Sequence, residues 1–403
     1  MDVDVTSFLL IVAAAVLAPL VTAAIGRIAP FPLVVVELLL GIIIGPQVLG
    51  LAEVDDLARF FGSLGLAFLF LFAGYEIEFN RIRGTPLRLG LIGWGISLVL
   101  AYSASGILHA TGLVISGLLT GSAMATTAIG TLMPILRDAR LLDTRFGTLL
   151  LAAGAVGELG PIVIITLLLS GDSDELTNAL VLTAFVVLAA MTAAAALATP
   201  DRFWHFAGRS MLTSGQLPVR LTVALLIALV ALAEEFGLDL ILGAFAAGVI
   251  LGLVLNARPA DVEELGLEHR QRQVLEIKLD AIGYGFAIPA FFITSGMAFD
   301  LDSLLSDVGA MLDVPLFLAL FLLVRGAPAL LLYRDVLPAA RERAGLALLT
   351  ATQLPLVVAI TTIGVDTDRM RPSTAAALVG AAMLSTLIFP LVGTRLARTA
   401  TAP

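Results

Sequence analysis

Thirteen apolar blocks, each of roughly 18–26 residues, follow one another along almost the whole chain, and their length constrains the fold more than any other feature. A helix rises about 1.5 Å per residue, so each block can cross a hydrocarbon core about 30 Å thick. We number the spans one to thirteen: about 7–26, 32–50, 62–79, 87–109, 112–136, 144–169, 176–199, 219–236, 238–256, 275–299, 314–333, 341–364 and 373–396. The composition agrees: 59% of residues are hydrophobic and 14% charged, against about half and a quarter in a soluble domain. No polar segment is long enough to form a soluble domain. The front of span one, MDVDV, is acidic where a cleaved signal would be basic, so span one is read as a membrane helix.

The loops set an orientation. With the N-terminus outside, 19 of the 23 Lys and Arg residues fall in cytoplasmic loops, Arg59, Arg369 and Arg371 fall outside, and Arg325 lies within a span. This predicts N-out, C-in and an odd number of spans. The longest loop, about 257–275, is read as a cytoplasmic surface helix. The tail TRLARTATAP is read as carrying no appended domain.

Several functions are excluded. The chain has no cysteine, so it has no disulfide, thiol nucleophile or Cys-based metal site. His109, His205 and His269 are far apart and form no zinc motif. There is no nucleophile–base pair and no phosphate loop, so an enzyme is not expected. A net charge of -9 offers no basic face to nucleic acid. The expected partner is the bilayer, with no cofactor.

Short matches recur seven spans apart: GIIIG (41–45) with GVILG (248–252), FLFLFAG (68–74) with AFFITSG (290–296), and LLTGS (118–122) with LLTAT (348–352). Seven is odd, so the second copy enters the membrane from the other side. The chain is therefore read as an inverted-topology repeat, 7–169 against 219–396, with 176–199 as the linker. Spans five and twelve both carry helix breakers around polar residues: Gly121, Gly130 and Pro134 about Thr126 and Thr127, and Pro355 beside Thr352 and Gln353. A matched pair of interrupted spans predicts crossed half-helices around an ion site.

Glu158 lies midway along span six, in AAGAVGELGPIV, between two apolar arms. An ionisable group at that depth costs on the order of 3 kcal/mol. A proton or a metal cation relieves the cost, and one carboxylate that holds either in turn is the minimum for proton–cation exchange. Pro161 cannot bond the carbonyl of Gly157, which frees a backbone oxygen beside the carboxylate. Thr126, Thr127, Thr352 and Gln353 add oxygens suited to Na⁺ or K⁺. Arg325 either pairs with an acid in the core or snorkels to an interface. Glu37 either lines a cavity entrance as an accessory site or ties helices together.

The segments VVVELLLGIIIGPQVLG, LGLAFLFLFAGYEIE, GSAMATTAIGTLMPILRD, LGAFAAGVILG, IPAFFITSGMAFD and TATQLPLVVAI together resemble the monovalent cation:proton antiporters, the branch of Kef-type potassium efflux systems and related Na⁺/H⁺ antiporters. The resemblance runs from about 30 to 396. It implies the antiporter-like all-α fold, a homodimer in the cell's inner membrane, core spans 87–169 and 314–396, and dimerisation spans 7–79 and 219–299. It sets Gly157-Glu158 where the family has an acid or amide followed by aspartate, and Arg325 where the family has a basic residue. A regulatory nucleotide-binding domain is not expected. The implied activity is exchange of Na⁺ or K⁺ for protons, electroneutral with a single titrating acid. The alternative is a channel-like K⁺ efflux pathway without obligatory proton coupling.

Overall fold

A computed structural model describes residues 4–25, 32–76, 79–169, 175–257, 265–305 and 308–401. Every regular element among them is helical. Among the described residues, ten helices are long and apolar enough to cross a membrane, and two shorter apolar helices, Leu33–Ile44 and Leu240–Asn256, fall on spans two and nine. Span five is not one helix. It is built from Gly117–Met124 and Ile129–Asp138 with an extended break between them. Thirteen remains the count read from the hydropathy pattern.

Of the expected surface helix at about 257–275, the described residues from Leu265 onward are helical. Residues 258–264 lie outside the described residues, and the helix Leu265–Ile282 continues through a π-turn, Gly283–Ala287, into Ile288–Met297 of span ten. From Leu265 on, the polar segment and the apolar span are thus one helical column. Arg27 and Arg258, which entered the orientation argument, also lie outside the described residues.

The helices group into two compact units. The first takes residues 1–59, 79–165 and 292–403, and the second takes 60–78 and 166–291. In the first unit, Gly41 of span two packs backbone to backbone on span ten: a Cβ there would overlap the Ile293 carbonyl, and Gly296 lies against the Leu38 carbonyl in return. In the second unit, Gly248 of span nine meets the Leu71 carbonyl of span three, and Gly74 meets the Phe245 carbonyl. Gly41 opens GIIIG and Gly248 opens GVILG, while Gly74 and Gly296 close the second matched pair of segments. Matched glycines therefore make matched contacts, as an inverted repeat requires.

Spans four to six and eleven to thirteen meet within the first unit over their described residues up to 165 and from 292. Pro372–Thr401 packs along both halves of span twelve and along Val308–Phe321. On one side of the crossing, Leu132, Leu136, Phe146, Leu149, Leu346 and Leu349 form a buried apolar cluster. It anchors the half-helices Ile129–Asp138 and Ala340–Thr350.

Candidate functional site

Span twelve breaks as span five does, into Ala340–Thr350 and Pro355–Asp366. The two breaks, residues 125–128 and 351–354, bind each other directly. Ala128 N–H donates to the Thr352 carbonyl at 2.9 Å, and the Thr127 hydroxyl donates to the Thr350 carbonyl at 2.6 Å. Helix ends carry unsatisfied backbone groups, and apolar surroundings provide no water for them. Crossing the two breaks lets each satisfy the other.

Span six runs beside the break of span five. Thr127 N–H donates to the Gly157 carbonyl at 3.2 Å, and Glu158 Oε1 accepts from Ile129 N–H at 3.2 Å. Ile129 is the first residue of its half-helix, so the carboxylate sits at a helix N-terminus, where partial positive charge favours an anion. Glu158 is 5% exposed.

Span thirteen holds the other break in the same way. Gln353 N–H donates to the Ser385 hydroxyl at 3.0 Å, and the Gln353 carbonyl accepts from the Ser385 and Thr386 hydroxyls. Thr127 and Gln353 are each the third residue of their break, so Ser385-Thr386 is the neutral counterpart of Gly157-Glu158. The repeat is symmetric in backbone and asymmetric in charge.

Arg325 is buried, which rules out the snorkelling reading. It lies in a π-turn, Leu322–Gly326, a distortion that often marks functional positions. Nε and Nη2 donate to the Thr127 hydroxyl at 2.9 and 2.7 Å, Nη2 also to the Ala153 carbonyl at 3.1 Å, and Nη1 to the Ser97 hydroxyl at 3.3 Å. These four bonds all end on neutral oxygens. The guanidinium therefore fastens Thr127, and through it the crossing. Gly157 is what admits it: a Cβ at that position would stand 2.5 Å from Nη2 and 2.8 Å from the Thr127 hydroxyl.

Around the breaks, several backbone carbonyls have partners within the fold. The Met124 carbonyl accepts from Gln353 Nε2 at 2.9 Å and the Ala125 carbonyl from Trp94 Nε1 at 3.2 Å. The carbonyls of Thr350, Thr352, Gln353 and Gly157 are engaged as described above, including the oxygen that Pro161 frees. Buried carbonyls need partners, and for these six the fold supplies one each internally. Thr126 and Thr352 turn their hydroxyls back onto the Ala123 and Leu348 carbonyls. Gln353 is fully buried, and its Oε1 has no hydrogen-bond partner among the described residues.

Glu37 is also buried, on Leu33–Ile44, one turn before Gly41. That places it on the face of span two that packs against span ten. No group of three or more His, Asp or Glu residues gathers among the described residues. Trp94, Ser97, Ser385 and Thr386 were not singled out from the sequence. A tryptophan between glycines in GWG and a hydroxyl pair in LSTLIF were the only signals. Trp94, Ser97, Ala153, Arg325, Tyr333 and Thr350 line a cavity of about 10 Å³ beside the arginine.

Two interrupted spans crossing beside a buried carboxylate, in an inverted repeat, define the architecture of a multi-pass secondary transporter. The chain belongs to the family described as sodium/hydrogen exchanger, transmembrane, which matches residues 12–399. It is similar to the putative Na(+)/H(+) antiporter YjbQ of Bacillus subtilis (strain 168), 26% identical over 379 residues that cover 89% of this chain and 58% of that protein. It is also similar to the Na(+)/H(+)-K(+) antiporter GerN of Bacillus cereus, 24% identical, covering 68% and 67%. The chain thus spans well under two thirds of YjbQ's length. The fold matches the solved structure of the sodium proton antiporter MjNhaP1 from Methanocaldococcus jannaschii, with a TM-score of 0.66 at 18% identity over 97% of this chain and 95% of that one.

Proposed function

We propose that this protein exchanges Na⁺ or K⁺ for protons across the membrane by alternating access, with Glu158 as the coupling acid. One observation carries the reading: in a chain of this family, a buried carboxylate stands at the crossing of two broken helices, bound at the N-terminus of one of them. The relatives described as Na(+)/H(+) antiporters add support.

The chemistry follows from one carboxylate. Protonated, Glu158 is neutral; ionised, it holds a dehydrated monovalent cation. The Arg325 guanidinium keeps its charge in both cases. The two loaded forms therefore carry the same net charge, and one cation exchanges for one proton without moving charge. The empty form leaves a bare carboxylate in a dry core, so it moves poorly. The ion-binding set is Glu158, Thr126, Thr127, Gly157, Thr352 and Gln353, with Arg325 as fixed counter-charge and Glu37 as an accessory acid. Thr127 acts chiefly through the arginine that holds it.

In this reading spans 87–169 and 314–396 form a core that slides against dimerisation spans 7–79 and 219–299 of a homodimer. The N-terminus lies outside and the C-terminus in the cytoplasm of a cell with this chain in its inner membrane.

The test is proton release in proteoliposomes holding a pH gradient, with Na⁺, K⁺ or Li⁺ added in turn. A saturable cation response should appear in wild type and vanish in Glu158→Gln. A response that persists in Glu158→Gln would shift the coupling acid to Glu37. Cation flux without proton movement in wild type would mean a channel-like pathway.

A further inference from the structure

We infer that the side-chain oxygen of Gln353 is the second fixed ligand of the transported cation and selects which monovalent ion the site accepts. The inference rests on the exchange reading above and names the group that chooses its substrate.

Gln353 is clamped on every other side. Its backbone N–H donates to Ser385, its carbonyl accepts from Ser385 and Thr386, and Nε2 donates to the Met124 carbonyl at 2.9 Å. This network fixes the amide's orientation, because the flipped amide would set Oε1 against the Met124 carbonyl, acceptor against acceptor. What remains is Oε1, buried and without a hydrogen-bond partner among the described residues. Stranding a desolvated amide oxygen is unfavourable, and a clamp that holds it there implies a ligand that relieves it. An amide oxygen is a hard neutral donor, suited to an alkali cation.

The position fits. Thr352, the residue before Gln353, accepts from Ala128 N–H, and the next residue, Ile129, donates to Glu158. The amide and the carboxylate thus flank the same crossing. A second orphaned oxygen supports the same side. The Thr120 hydroxyl is buried and has no partner among the described residues, one turn before the Met124 carbonyl that Gln353 holds. In this proposal Thr120 would add a further oxygen to the cation site.

Glu158 serves both exchanged species, whereas Gln353 serves the cation alone. Replacing the amide should therefore alter cation affinity and selectivity while the proton dependence stays in place. A rigid clamp also fixes the reach of Oε1, which favours one ionic radius over another.

The experiment compares wild type, Gln353→Met, Gln353→Asn and Thr120→Val in proteoliposomes. It measures apparent KM for Na⁺, K⁺ and Li⁺ and the pH profile at saturating cation. The thermal shift that each cation induces in purified protein is read in parallel. Gln353→Met should raise KM for the preferred cation on the order of tenfold, reduce discrimination between Na⁺ and K⁺, and keep the pH profile. Gln353→Asn, which withdraws the oxygen by one methylene, should change the order of preference, and Thr120→Val should raise KM about two- to threefold. If Vmax falls for all ions alike with KM ratios unchanged, Gln353 is only a clamp and the inference is overturned. The thermal shift separates this idea from the exchange reading. A cation shift in wild type that Gln353→Met abolishes supports the ligand even where no proton moves. A shift that persists in Gln353→Met, or its absence from wild type with every cation, overturns it.

Discussion

At the residue scale, Glu158 and Gly157 act as one unit. The glutamate reaches Ile129 N–H from span six, and aspartate, one methylene shorter, would withdraw the carboxylate from that contact. Glu158→Asp should therefore keep exchange but raise the apparent KM for the cation, measured in the same proton-release assay. Wild-type KM in that variant would show that arm length is immaterial. Gly157 makes room for Arg325. Gly157→Ala places a methyl 2.5 Å from the guanidinium, so it should cost about 1–3 kcal/mol of stability and slow transport by loosening Thr127. Gly95→Ala, on a helix with open space at that position, is the control and should be neutral or slightly stabilising. Thermal unfolding of both variants in detergent checks the contrast.

At the element scale, the breaks are where the chain gives up helix. Pro161 denies the Gly157 carbonyl its ordinary helical partner, and Thr127 N–H takes the place. Pro161→Ala restores a helical donor that competes for that oxygen. Unfolding temperature should stay level or rise while turnover falls; an unchanged turnover would separate the proline from the crossing. The register of the breaks also differs from the sequence match. In LLTGS, Ser122 stands three residues before the break at Ala125, whereas Thr352 of LLTAT lies inside the break that starts at Ala351. The paired segments were the right ones, but their alignment was about one turn out, because small polar residues recur too often in such spans to fix register. The π-turn that aims Arg325 had no signal in LFLLVRGAPALLLY, since an extra residue per turn leaves hydropathy unchanged.

At the scale of the whole molecule, the repeat predicts paired sensitivity. Gly41→Val and Gly248→Val each force a side chain into a facing backbone, and each should lower the unfolding temperature by a similar amount. A large effect at one site only would mean that the two interfaces are not equivalent in energy. Charge balance gives the other test. With a single coupling carboxylate, exchange should run at the same rate whether a valinomycin-clamped membrane potential is zero or large. A rate that follows the potential would require a second moving charge, and Glu37 is the first place to look.

The membrane class, the inverted repeat, the two interrupted spans and the central carboxylate were all determined by the sequence, because each is a matter of apolar length, period or a lone ionisable residue in an apolar run. Those signals are local or repeat at fixed spacing, so they survive without coordinates. Tertiary structure alone decided which oxygens are spent and which are left. The arginine fastens a threonine 198 residues away, carbonyls at the breaks are capped by spans four, five, twelve and thirteen, span six accepts from two N–H groups at the first break, and one amide oxygen is stranded. Hydrogen-bond satisfaction in a dry core is a property of the whole packed set, and no spacing along the chain records it.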